Sequence, residues 1–527
     1  MVVAGVFDEY VVGRMLELCH PATPWWRRLW QPGTVLLARE LLEAGDPAMS
    51  ASDHARGTLL SQLRDRVVSD PGCGQQVQRS TALRRLAAKS VSIVRPGHNW
   101  SLLQQYTESL QAKYLSNWAS ELRRAGAASG VSAEATARLL VAHLLDEGCS
   151  DKFVHRWLTY HARHDTATYR LPDLLDLLSA RLSQPATPIE VLVPLAAEVV
   201  LPRPIPPGWL TAIQARHWRA ANIPNSTPAR QHGALVVTVT ANDIYAAAEA
   251  VRDRVSALVD KFALGARREL VVGNEMWLKG IATPEPMNGS IRRVEIRSIE
   301  RREGLWSHRI PRNLEAALEL MTPLKRGPVP AAITGAWAAI ESLLVGAGDQ
   351  GKHLAAHRVS LIVGCAMARA ELTSLAWAHQ RGASDQLAVD IRAAATNKER
   401  ARLTIAALLA GKVLSLPRSE DNHGLTRIQN LLQNPHGFVV GVTQCLEMAF
   451  GALYRQRNAL AHAGGTDAVA LRSTLSRVAP LVAAGIDRIS DAVLKESISP
   501  LELAARAALR LDNLQTHPVT DAVDLLG

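Results

Sequence analysis

Along the first 200 positions apolar residues recur at three- and four-residue intervals, the signature of helices that bury one face. The clearest stripe runs through Asn99–Ala125: Leu102, Leu103, Tyr106, Leu110, Tyr114, Leu115, Trp118 and Leu122. Thr58–Val68 and Thr81–Ser92 carry the same spacing. Ser132–Glu147 opens on a capping serine and ends at Gly148, and Ser150 or Asp151 caps another helix. Trp25, Trp26 and Trp30 surround Arg27 and Arg28. Such a cluster can stack bases, but the i, i+4, i+5 spacing favours tryptophans that anchor one helix on its neighbour.

The pattern breaks after residue 182, where Pro185, Pro188, Pro194, Pro202, Pro204, Pro206 and Pro207 predict a loop-rich connection over 183–232, with a short buried piece near Ile189–Val200. Residues 233–327 then read as a small α/β domain. Ala234–Thr240 is a β-branched strand, Asn242 or Asp243 caps an amphipathic helix to about Leu264, and Leu270–Gly273 and Met276–Ile281 read as further strands. Arg292–Arg301 alternates charged and apolar residues, which predicts a strand with one wet face. Its arginines suit a nucleic-acid backbone, but the interspersed Glu295, Glu300 and Glu303 favour a charge-guarded sheet edge.

From residue 328 the helical pattern returns. Ala331–Val345, His353–Ala378, one or two helices over 385–412, Val439–Ala463, a helix capped by Thr466 or Asp467 reaching about Lys495, and one from Ser499 to about Leu514 complete the chain. Arg418–Gly424 reads as a polar loop. The expected fold class is mainly α: a helical N-terminal region over 1–182, the Pro-rich connection, the α/β segment, and a C-terminal helical bundle over 328–527.

Composition changes this picture little. Hydrophobic residues make up 47% and charged ones 20% of 527 residues, enough for a core in each of several domains and against broad disorder. The net charge of +10 favours anionic partners such as nucleic acid, and equally suits ordinary solubility in an arginine-rich chain. Five scattered cysteines without a CxxC pair argue against a disulfide framework or zinc finger and for a reducing, cytoplasmic setting. The acidic N-terminus is unlike a signal peptide, and the lack of an uninterrupted apolar run predicts no membrane span.

Most motifs weaken on inspection. Gly346–His353 fits both GxGxxG and GxxxxGK, but His353 stands where a magnesium-binding hydroxyl is needed and a helix, not a strand, precedes it. His353 and His357 lack the acid of HExxH, and the spacings of His155, His161 and His164 do not demand a metal. The stretch Tyr454-Arg455-Gln456-Arg457-Asn458-Ala459-Leu460-Ala461-His462-Ala463-Gly464 is different. A fixed cation and a titratable imidazole are what metal-free phosphate chemistry requires. Asn458 and His462 share a helix face. Arg457 and His462, five apart, diverge by about 140° on an ideal helix. They meet at one phosphate only if the arginine swings round, the helix ends irregularly, or a second copy supplies the partner group.

Arg457-Asn458-Ala-Leu-Ala-His462 resembles the Rx4–6H motif of HEPN domains. With the upstream helix bearing Trp337 and Glu341, the long middle helix and the Tyr454-to-Gly464 ending, residues 328–495 resemble the ApeA-like HEPN branch of bacterial antiphage defence; over 1–327 the likeness is faint. The resemblance implies a helical domain that forms homodimers around one cleft and a metal-independent endoribonuclease without cofactor. Arg457 would neutralise the scissile phosphate, His462 would assist 2′-OH attack, and Asn458 would orient His462 or the phosphate. Tyr454 and Arg455 would contact RNA, and Trp337 and Glu341 would support the site. It further implies a sensor or regulatory role for 1–182, a phage-derived trigger or regulatory protein as partner, and no membrane. Some HEPN proteins bind or assemble without cutting.

Overall fold

Capping residues set many of the helix starts. In the computed structural model, which describes all residues except 1–4, 50, 87–92, 127–129, 165–167, 226–231, 289–291, 303–304, 307–309 and 352, Ser132, Ser150, Asp243 and Ser499 each accept a backbone N–H from the first turn of the helix they open. The N-terminal helices are α1 (Val6–Cys19), α2 (Thr34–Ala44), α3 (Asp53–Ser69), α4 (Gln76–Leu86), α5 (His98–Ala125), α6 (Ala133–Asp146), α7 (Asp151–Thr159) and α8 (Leu171–Leu182). The expected end of the Thr81–Ser92 helix lies outside the described residues. The α5 stripe does what its spacing predicts: Leu103, Leu110, Tyr114, Leu115, Trp118 and Leu122 are buried in one core with α1, α2, α3 and α6.

A five-stranded antiparallel sheet follows, formed by β1 (Thr187–Pro194), β2 (Trp209–Thr211), β3 (Gly233–Ala241), β4 (Glu275–Leu278) and β5 (Glu285–Pro286) in the order β2-β3-β1-β4-β5. The segment expected to be a loop-rich connection therefore carries the central strand and the helix α9 (Ala212–Asn222). β1 pairs with β3 from Thr187↔Ala241 to Pro194↔Ala234, but with β4 only at Val191 and Leu192. Pro188 and Pro194 lie outside the doubly paired stretch, so their missing N–H groups break no second ladder. The helix α10 (Ile244–Gly265) buries Ala247, Ala248, Val251 and Val255 against the sheet. Leu270–Gly273 contributes only an isolated bridge, Leu195↔Val272.

The expected strand at Arg292–Arg301 is instead an irregular segment, with Arg293 at φ 54°, leading into a short helix, α11 (Arg297–Arg301). It packs on a C-terminal helix rather than on the sheet. Ser298 N–H donates to Asp487 at 2.7 Å, and Arg302 donates to Asp491 at 3.0 Å. These acids lie on α20 (Leu471–Glu496), about 190 positions downstream, where local alternation carries no information. Glu303 lies outside the described residues.

The C-terminal part comprises α12 (Arg312–Leu320), α13 (Thr322–Arg326), α14 (Val329–Leu344), α15 (Leu354–Gly382), α16 (Gln386–Ala393), α17 (Asn397–Leu409), α18 (Ser419–Gln433), α19 (Pro435–Ala463), α20 (Leu471–Glu496) and α21 (Pro500–Asn513). α14, α15, α19 and α20 pack around Trp337, Ile340, Val359, Ile362, Phe450, Leu453, Leu481 and Val482, all fully buried. The fold is thus mainly α with a small α/β part. The polar loop expected at Arg418–Gly424 forms the start of α18, with Asp421 and His423 buried, because partners reach them from the N-terminal helices. α20 starts at Leu471 without a side-chain cap, so neither Thr466 nor Asp467 opens it.

Two helices, α15 and α19, are long and apolar enough by length and composition to cross a bilayer, although neither holds an uninterrupted apolar run of that length. Scattered polar residues interrupt their apolar runs without lowering the average enough. In α15, 83% of the most apolar window is buried inside the protein, as for a core helix, against 39% in α19.

The two helical parts share core and charge. Trp30 is buried in the C-terminal core, and Trp25 and Trp26 pack against it, so the tryptophans do anchor, but from a short 3-10 turn (Trp25–Arg27) and the chain after it rather than from the face of one helix. Arg27 between them reaches Glu371 at 2.6 Å and Asp421 at 3.3 Å. Around it lie Arg14–Glu17 and Arg14–Glu134 at 2.8 Å, Arg427–Glu371 at 2.9 Å, Arg138–Glu134 at 2.6 Å and His423–Glu17 at 3.2 Å.

Candidate active site

α19 starts at Asn434, whose side chain accepts from Gly437 N–H at 3.0 Å, with Pro435 at the first helical position. It stays helical through Ala463 and stops at Gly464, which takes the left-handed conformation at φ 61° and ψ 23°. Gly465 N–H then closes on Ala459 O at 3.2 Å. The irregular end therefore begins after His462, not between Arg457 and His462. Of the three routes that would bring these side chains to one phosphate, a break in the helix is absent; a swing of the arginine and a second copy remain.

Arg457 faces α14. Its Nη2 lies 3.6 Å from Glu341 Oε2, and its Nη1 donates to Asn458 Oδ1 at 2.9 Å. The same Glu341 oxygen accepts the Trp337 indole N–H at 2.7 Å, and the Trp337 ring packs on Tyr454 with centroids 4.8 Å apart. The resemblance thus named four residues that do meet: Trp337 and Glu341 as support, Tyr454 and Arg457 as site residues. Asn458 turns its oxygen to Arg457. His462 is exposed on the last turn, and among the described residues no hydrogen bond or ion pair links it to Arg457.

Arg455, expected to contact RNA, points into the protein. Its side chain is 12% exposed, and its Nε donates to Glu40 of α2 at 2.9 Å. Gln456 donates to the same carboxylate at 3.2 Å. Glu43, one turn on, accepts from Val469 N–H at 3.1 Å. Burial pushes the Glu43 carboxyl up to about 7, against the Val469 N–H, which lowers it, and with Glu40 adding to the rise. Neither glutamate was singled out by sequence reasoning. They lie more than 400 positions upstream, and no local pattern marks an acid that will meet a distant helix.

The other motifs resolve as structure. Gly346–Gly351 is a turn between α14 and α15, fastened by Asp349, which accepts from Gly346 N–H at 2.6 Å and Arg358 Nη2 at 2.9 Å. Lys352 lies outside the described residues. His357 pairs with Glu447 at 3.3 Å. His155 stacks near His20 at 5.2 Å and His161 near Trp157 at 4.2 Å; the side chain of His164 lies outside the described residues. Among the described residues no group of three or more His, Cys, Asp or Glu could hold a metal ion. The chain matches no protein-family model, no curated protein and no solved structure.

Proposed function

We propose that the chain is a metal-independent HEPN-type endoribonuclease of bacterial antiphage defence or abortive infection, acting in the cytoplasm as a homodimer through its C-terminal domain. The observation that carries the reading is the placement of Arg457, Asn458 and His462 on the last two turns of α19, with Arg457 braced by Glu341 and His462 open to solvent. In this reading Arg457 neutralises the scissile phosphate and His462 takes the proton of the attacking 2′-OH, with a group across the dimer cleft protonating the leaving 5′-oxygen. An imidazole open to solvent and bound to no metal is free to exchange a proton with substrate in this way. A phage-derived trigger or regulatory protein would act through the N-terminal helices.

The test is RNA incubated with wild type, Arg457→Ala and His462→Ala in EDTA. Cutting by wild type that survives the chelator, and a loss of about 100-fold or more in each variant, is the expected outcome. Loss of wild-type cutting in EDTA rejects the metal-free mechanism.

One observation favours a second reading, a non-catalytic HEPN-fold protein that binds nucleic acid or assembles: Glu341 and Asn458 already occupy the Arg457 guanidinium. A wild type that binds RNA but never cuts it, even with infected-cell lysate, selects this second reading.

A further inference from the structure

The two halves of the candidate site are held by different parts of the chain. Arg457 is held by α14, through Glu341. The end of α19, the turn beyond it and the start of α20, residues 455–477, are held from the N-terminal region at four points, two of them on the 464–470 turn. Glu40 accepts from Arg455 at 2.9 Å and Gln456 at 3.2 Å, just before the site. Glu43 accepts from Val469 N–H at 3.1 Å, just after it. The Met49 methyl sits against Gly465. Asp146 of α6 accepts from Ser473 and from Arg477, both at 2.6 Å, at the start of α20, while its other oxygen accepts from Gly33 N–H at 2.7 Å. These contacts flank His462 on both sides in sequence, yet His462 itself stays exposed.

A helix end followed by two glycines frays readily, because glycine loses the most conformational freedom on ordering. Here α2 and α6 supply the order that Gly464-Gly465 does not. We propose that the N-terminal helical region is a latch on the end of α19 and the α19–α20 turn, holding the last helical turn that carries His462 in place rather than covering the site. Release of the latch loosens the turn as a local unit. The link to cutting rests on the ribonuclease reading; the latch itself does not.

Hydrogen exchange on the full chain tests it, comparing wild type with Glu40→Ala, Glu43→Ala and the exchanged pair Glu40→Arg/Arg455→Glu. Expected is exchange of the amides in 459–470 faster by about tenfold or more in Glu40→Ala, a smaller rise in Glu43→Ala, unchanged exchange in α15, and recovered protection in the exchanged pair. Unchanged exchange at 459–470 in both single variants overturns the latch. So does an equal rise in α15, which reports global loosening. On RNA, Glu40→Ala should lose activity and the exchanged pair regain it. A gain of activity in Glu40→Ala makes the contact inhibitory and overturns the positioning role. A wild type that cuts no RNA removes the ribonuclease reading, and the exchange data alone then judge the latch.

Discussion

Glu341 accepts from Trp337 and faces Arg457 with one oxygen, so two neighbours of the site depend on it to different degrees. The Arg457–Glu341 pair is 3.6 Å long and its side chains are 23% and 20% exposed, so solvent screens it and its contribution to stability is about 1 kcal/mol or less. Trp337 is fully buried in the bundle core, and its removal opens a cavity. Denaturant unfolding should therefore show a small loss for Glu341→Gln and a loss of about 3–5 kcal/mol for Trp337→Ala. Equal losses would mean that the carboxylate, and not the indole, carries the packing. At this scale the sequence was legible where partners are four residues apart on one helix. It misplaced Arg455, expected to contact RNA, because its partner Glu40 lies on α2.

At the scale of elements, α19 ends as its glycines predict. Gly464 has φ 61°, and a Cβ added there would meet no atom within 4 Å. Gly464→Ala should thus lose about 1 kcal/mol from backbone conformation alone, read as a lowered thermal midpoint with no repacking of the core. An unchanged midpoint would show that the turn relaxes out of the left-handed region at no cost. Helices with one apolar face and a side-chain cap, such as α6, α10 and α21, were legible for the same local reasons, and α5 by its apolar face alone. The start of α18 and the short helix α11 were not. Their polar residues look solvated in sequence, and only Arg27, Glu17 and Asp487 from elsewhere bury them.

Across the whole molecule, the N-terminal helices join the C-terminal bundle through charge as well as tryptophan. Arg14, Arg27, Arg138 and Arg427 are matched by Glu17, Glu134, Glu371 and Asp421. Losing one partner leaves a buried charge uncompensated. Burial alone would raise the Glu17 carboxyl, but Arg14, the His423 hydrogen bond, Arg427 and Arg27 together hold it down at about 2. Its contribution to stability, on the order of 3 kcal/mol, is therefore complete above about pH 4.5 and lost as pH falls toward 2. Glu17→Gln should weaken the protein at pH 7 and flatten its acid limb between those values; an acid limb unchanged from wild type would place that dependence on other carboxylates. The sequence by itself determined the mainly helical class, the ends of helices such as α5, α6, α10 and α21, and the Arg457–His462 stretch, because periodicity, capping and helical spacing act over a few residues. The tertiary structure alone decided that a proline-bearing strand sits at the centre of the sheet, that Arg27 joins two helical parts, and that Glu40 and Glu43 bracket the candidate site. Those outcomes depend on groups hundreds of positions apart, whose pairing only a folded core can bring about.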